Sequence, residues 1–394
     1  MRTRRLLAAA ASAGIAAALA VGAAACGGSS APVAQSGQSS TTMIVFNDAT
    51  CGGTWQASPG WHTFEVENQA EYGAEVDLVD PVNDAVYDEL DNTGPGTTTR
   101  MSLELGSGKY AFLCDVQDFN PTTGPTVTVP GHATGASAIL PVTYNDLYPL
   151  AKEYQKYTEA GLQVLAKETT TLAGDVRGRD LAAAKRDWLT AHLKYETLGA
   201  AYDAFGNYDD EIDGRADAVG VNSSEWTGFY RLEYGLWHGQ SPAELTPVAN
   251  TLNTNVHQLL AWWPTQEIEP LDVGLRTHEI LENALEFQLT GHDDYGSGTT
   301  LAATLANIAG TRYLLSLLHP LLVPRYPALP AVYTWLGRLQ SLLQKEQLPN
   351  GQWVSVSALP TATRQDIDAA CGQVLQELAP IASITEPRIM PNDF

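Results

Sequence analysis

Residues 126–154, TVTVPGHATGASAILPVTYNDLYPLAKEY, hold the point at which the chain changes its pattern. Before the break, Thr126-Val127-Thr128-Val129 alternates polar and apolar residues, the period of two that sends successive side chains to opposite faces of a strand. From Asp146 onward apolar residues recur every three to four positions, as on a helix with one buried stripe. Between them lie Gly, Ala, Thr and Pro, which punctuate a chain rather than pack it, so residues 131–141 read as a linker. A β part precedes the linker and an α part follows it.

Toward the N-terminus, residues 43–130 repeat the strand signature. Short alternating runs such as Met43–Phe46, His62–Val66, Ala74–Val79, Met101–Leu105 and Tyr110–Cys114 are separated by Ser58-Pro59-Gly60, Asn92–Gly96 and Gly106-Ser107-Gly108. Strands at this spacing predict a small antiparallel β-sandwich. Toward the C-terminus, residues 142–394 predict an all-α antiparallel helix bundle. Asp146 is expected to cap its first helix, with Pro149 in the first turn. Further helices are expected over Arg179–Phe205, Ser224–Trp237, Pro242–Trp262, Leu271–Thr290, Thr299–Leu322, Pro327–Gln344 and Thr363–Ile381. The stripe of Leu314, Leu317, Leu318, Leu321 and Leu322 is read as core.

The 394 residues carry 22 Lys and Arg against 45 Asp and Glu, a formal charge of −23. Such an excess of acid argues against nucleic acid, which needs clustered cationic side chains, and favours either cations as ligands or simple solubility. Residues 1–25 are expected to be an export signal: Arg2, Arg4 and Arg5 precede an apolar run that ends in Ala23-Ala24-Ala25. Cys26 and the Gly27-Gly28-Ser29-Ser30 behind it resemble a bacterial lipobox, which implies acylation of Cys26 and a lipidated tether over residues 26–42. The folded part would then be exported and lipid-anchored to the outer face of the cell membrane. Cys51 and Cys114 fall in one segment of an oxidising compartment and form the natural pair. A disulfide, soft-metal ligation and free thiols all remain open for them, whereas Cys371 reads as a small buried apolar residue.

A cysteine after the first strand, a Pro-Gly turn before an aromatic strand, and Gly108-x-Tyr110-x-Phe112-x-Cys114 resemble the cupredoxin-like domain of the EfeO/EfeM family. A type 1 copper site needs a His close behind its Cys. Cys114 is followed by Asp115-Val116-Gln117-Asp118-Phe119 and next meets His132, so no blue-copper site is expected. In the α part, Gly228-Phe229-Tyr230-Arg231-Leu232-Glu233-Tyr234-Gly235-Leu236-Trp237 is similar to the Gly-Phe-His-x-x-Glu-x-x-Leu-Trp segment of EfeO-type and imelysin-like proteins, whose HxxE pair holds a metal. Glu233 matches, but Tyr230 stands at the histidine position. It is either a phenolate ligand, which must first lose its proton, or a packing side chain with one hydrogen bond.

His278-Glu279-Ile280-Leu281-Glu282 resembles the Glu-rich helix of the same family, with His278 and Glu282 four apart and able to converge on one ion. Tyr195-Glu196 and Ile212-Asp213-Gly214-Arg215 resemble its remaining site segments. The resemblance thus implies a metal set of Glu196, Asp213, Tyr230, Glu233, His278 and Glu282. Arg215, Glu279 and His192 would support these ligands from behind. Carboxylates with an imidazole suit iron first, with zinc and copper as alternatives. The implied function is capture of iron and its transfer to a membrane permease, in a system that also holds a haem peroxidase-like partner. Two other functions follow from the same family: a metal-dependent peptidase, and binding of acidic polysaccharide. The missing motif histidine and the lack of HExxH weigh against the first, and the net negative charge against the second.

Overall fold

The computed structural model describes residues 40–116 and 121–388. The expected export signal, the Cys26 acylation site and the tether up to residue 39 lie outside the described residues. So do residues 389–394 of the expected bundle.

The first part is a two-sheet sandwich. Its strands are β1 (Ser40–Asn47), β2 (Thr50–Cys51), β3 (Gly60–Asn68), β4 (Ala74–Val79), β5 (Val86–Thr93), β6 (Thr98–Leu105), β7 (Gly108–Val116), β8 (Thr122–Thr123) and β9 (Val127–Val129). One sheet has the order β2-β1-β3-β6; the other runs β5-β4-β7-β8, with β9 also on β7. Pairing is antiparallel except between β1 and β3, which run parallel. Alternation does what the sequence requires: His62, Phe64 and Val66 turn inward from β3, and Val76 and Leu78 from β4. β5, sequence VYDELDNT, has too many acids to read as a strand alone and is held by its ladder to β4. A disulfide between Cys51 and Cys114 (Cα–Cα 5.6 Å) joins the two sheets, so neither sulfur is a thiolate that could hold copper. His62 and Met101 pack in the interior of the same sandwich.

The linker is laid along this domain. Ala136 N donates to Glu104 O (2.7 Å), and Ile139 pairs with Val86.

The second part is helical: α1 (Tyr144–Gly178), α2 (Leu181–Glu196), α3 (Tyr202–Phe205), α4 (Asn207–Asp213), α5 (Gly228–Trp237), α6 (Pro242–Trp262), α7 (Asp272–Asn283), α8 (Thr300–Leu322), α9 (Leu329–Gln344) and α10 (Thr361–Ile384). Thr143, rather than Asp146, caps α1. Asp146 N donates to Thr143 Oγ1 (3.3 Å), and the Asp146 carboxylate accepts from Thr143 N (3.0 Å), which completes a capping box. The helix expected over Arg179–Phe205 is interrupted after Glu196: a tight turn at Gly199–Ala201 leads into α3, and Gly206 (φ +57°) ends it. Residues 224–227 are not helical, so α5 starts later than its pattern implied. The bundle closes over Tyr154, Trp188, Tyr195, Phe205, Phe229 and Trp263, all fully buried.

Candidate metal centre

Two turns of α2 and the junction of α4 with α5 build the site. His192 and Glu196 stand four residues apart, on one inward face of α2, and both are buried. α5 begins at Gly228, whose φ is +87°; a Cβ there would fall 2.3 Å from Ile212 O on α4. Only glycine permits that approach, which sets the start of the Tyr230 helix against the Asp213 end of α4. The junction is pinned by hydrogen bonds from Trp188 Nε1 to Phe229 O (2.9 Å), Trp226 Nε1 to Gly214 O (2.9 Å) and the Tyr195 hydroxyl to Asp209 Oδ1 (2.6 Å). The segment after α7, with one π-helical turn at Ala284–Gln288, adds Gln288 and Asp293.

His192 Nε2 lies 3.1 Å from Asp213 Oδ1 and 3.3 Å from Glu196 Oε1. One ligand atom from each of these three side chains falls within 4.8 Å of the others. Glu196 Oε2 accepts from Asn307 Nδ2 (2.8 Å) and Gln288 Nε2 (3.0 Å), which orients the carboxylate and leaves Oε1 to face His192. The Glu233 Oε1 atom accepts from the backbone N–H groups of Tyr295 (3.2 Å) and Ser297 (2.9 Å). Tyr230 donates to Asp293 Oδ2 at 3.2 Å. Three buried oxygens, Glu196 Oε1, Glu233 Oε2 and Asp293 Oδ1, have no hydrogen-bond partner among the described residues. Buried acceptors left in that state are costly, and a cation would satisfy them.

Glu196, Asp213, Tyr230 and Asp293 open onto a cavity of about 490 Å³ whose lining includes nine Asp or Glu side chains but only two cationic ones, Arg215 and Arg276. Such a mouth concentrates cations. Burial pushes the Glu196 and Glu233 carboxyls up to about 7, against partial relief from His192 and the Ser297 contacts respectively. Burial raises Asp213 well above the ordinary range, aided by the charges of Asp209 and Asp293 and opposed by Arg215. Burial and the surrounding acids push the Tyr230 phenol well up as well, so without a cation it is a neutral donor to Asp293.

The sequence-expected set divides. Glu196, Asp213, Tyr230, Arg215 and Glu279 line the main cavity, and Glu233 and His192 stand in the narrow gap behind Tyr230. His278 and Glu282 are brought to neither space: they pair with one another at 3.5 Å, and the Glu282 side chain is 57% exposed. Successive helix residues turn by about 100°. The face of α7 that meets the cavity therefore carries Arg276, Glu279, Ile280 and Asn283, and Glu279 takes the inward place expected of its neighbours. His192, expected behind the ligands, faces Glu196 and Asp213 directly. Arg215 does sit among acids, 3.6 Å from Asp217 and 3.9 Å from Asp293, with its guanidinium over the Phe287 ring. Asp293, Gln288 and Asn307 line the cavity without being singled out by the sequence. No local spacing marks them, although the His192-x-x-x-Glu196 spacing was visible in the sequence.

Residues 150–334 match the imelysin family. Curated proteins named iron uptake system component EfeO are similar along most of the chain. The one from Yersinia pestis is 26% identical over 89% of this chain and 93% of its own length. The one from Yersinia pseudotuberculosis is 26% identical over 89% and 92%, and one from Escherichia coli 24% over 84% and 87%. A β-sandwich followed by an imelysin-type bundle, with this likeness spanning both, supports membership of the EfeO/EfeM family.

Proposed function

We propose that the chain captures iron outside the cytoplasm and passes it to a membrane permease, as the lipid-anchored component of an Efe-type uptake system. One observation carries this reading: His192, Glu196 and Asp213 present mutually adjacent ligand atoms beside buried carboxylate oxygens that lack donors. Hard oxygens with one imidazole suit ferrous or ferric iron, with zinc as a competitor and copper as a further candidate. The motif position that carries histidine in the family is Tyr230 here, and His192 on α2 supplies an imidazole from across the gap; the two rings are 5.2 Å apart. Export through residues 1–25, acylation of Cys26 and a haem peroxidase-like partner belong to the same proposal and rest on the family likeness and the N-terminal sequence. No turnover is required of the chain.

Anaerobic titration of the chelator-treated chain with ferrous ion, and aerobic titration with ferric citrate, test it. One ion per chain is expected in at least one of the two, lost in Glu196→Gln and Asp213→Asn. Absence of uptake in both removes the reading.

A further inference from the structure

A second group of acids lies far from the bundle in sequence, on the outer face of the five-stranded sheet. β4 sends Val76 and Leu78 into the sandwich core, so Glu75 and Asp77 emerge on the opposite face. Register places Asp77 across from Glu89 on β5 and Glu75 across from Asp115 on β7. Like charges directly opposite one another destabilise a sheet, yet four acids occupy these positions. Oxygens of Glu75, Asp77 and Glu89 come within 4.8 Å of one another. Asp77 is only 3% exposed, and its Oδ1 has no hydrogen-bond partner among the described residues. The cation at hand is Arg388, from the segment after α10, which pairs with Glu89 while its own N–H donates to Val142 O (2.8 Å).

We propose that Glu75, Asp77 and Glu89 form a cation site separate from the bundle cavity, built for a hard divalent ion of the calcium type, with Arg388 on its rim. All the donors are carboxylate oxygens, without imidazole or thiolate, which sets this site apart chemically from the centre around His192. Because Glu89 is shared with Arg388, the ion would sit where the C-terminal segment meets the β-sandwich and would hold the two together.

Calorimetric titration of the whole, chelator-treated chain with calcium chloride tests this. One calcium ion per chain is expected, bound as tightly by Glu196→Gln as by the wild type, and at least about tenfold more weakly by Asp77→Asn. Asp77→Asn keeps the shape and removes a buried charge, so without calcium it should melt no earlier than the wild type. If it does melt earlier, Glu75→Gln is read in its place, with the same loss expected. Wild-type chain that takes up no calcium, or binding left intact by both substitutions, overturns the proposal. Calcium binding abolished by Glu196→Gln alone assigns the ion to the bundle and overturns it equally.

Discussion

Glu196 is buried on α2 with one oxygen satisfied by Asn307 and Gln288 and the other facing His192. Its carboxyl, with an ordinary value of 4.5, is pushed to about 7 by burial. The consequence for stability has a definite sign. Between pH 4.5 and about 7 the folded, ion-free chain holds a proton here that the unfolded chain has released. This contribution is full below the unfolded value and is lost as pH rises through the folded one. Ion-free wild type is therefore expected to lose stability from pH 5 to pH 7.5, and Glu196→Gln to lose measurably less, as read by urea unfolding across that range. Equal slopes in the two proteins would count against a strained acid at this position. A bound cation inverts the preference by favouring the ionised form, which is why the same residue can be a liability when empty and a ligand when filled. At this scale the sequence was a partial guide. Residue types at Glu196, Asp213 and Glu233 were legible, but the imidazole beside these acids is His192 rather than His278, because helical phase and not composition decides which side chain faces inward.

The junction of α4 and α5 turns these residues into a set. Gly228 lets the backbone of α5 press on Ile212 O, and any side chain there would need the two helices to part. Gly228→Ala combines a positive φ with a 2.3 Å clash. It is expected to destabilise the bundle by about 1–3 kcal/mol and to weaken iron binding more than Glu282→Gln, a change on the exposed side of α7. Paired denaturation and iron titration of the two variants check this; equal affinity in both would mean that the junction does not position the ligands. Helix existence was largely readable here: Pro242–Trp262 and Thr299–Leu322 are found within a residue of their patterns. Caps and breaks were less so. Asp146 proved to be the third residue of a capping box, and the turn at Gly199–Ala201 splits a continuous helical pattern, since both depend on what the backbone meets next.

For the molecule as a whole, an ion that binds only the folded bundle must stabilise it by mass action. Free iron at one hundred times its dissociation constant adds about 2.7 kcal/mol, or about 5–10 °C in midpoint for a domain of this size. Scanning calorimetry with iron and with chelator should show that rise in the wild type and its loss in Glu196→Gln; an identical midpoint in both media speaks against a site in the fold. The sequence by itself determined the order of the architecture, a sandwich and then a bundle, because periods of two and 3.6 are local properties of consecutive residues. It also determined the acidity, the pair Cys51 and Cys114 as candidates for a bond, and the α2 and α5 segments that bear the candidate ligands. Only the tertiary structure decided that the two sulfurs join, that Asn307 reaches Glu196 and Asp293 reaches Tyr230, and that His278 and Glu282 stay outside the cavity. Those contacts span up to 111 residues of chain, and they exist because packed helices bring chosen faces together, which no window along the sequence contains.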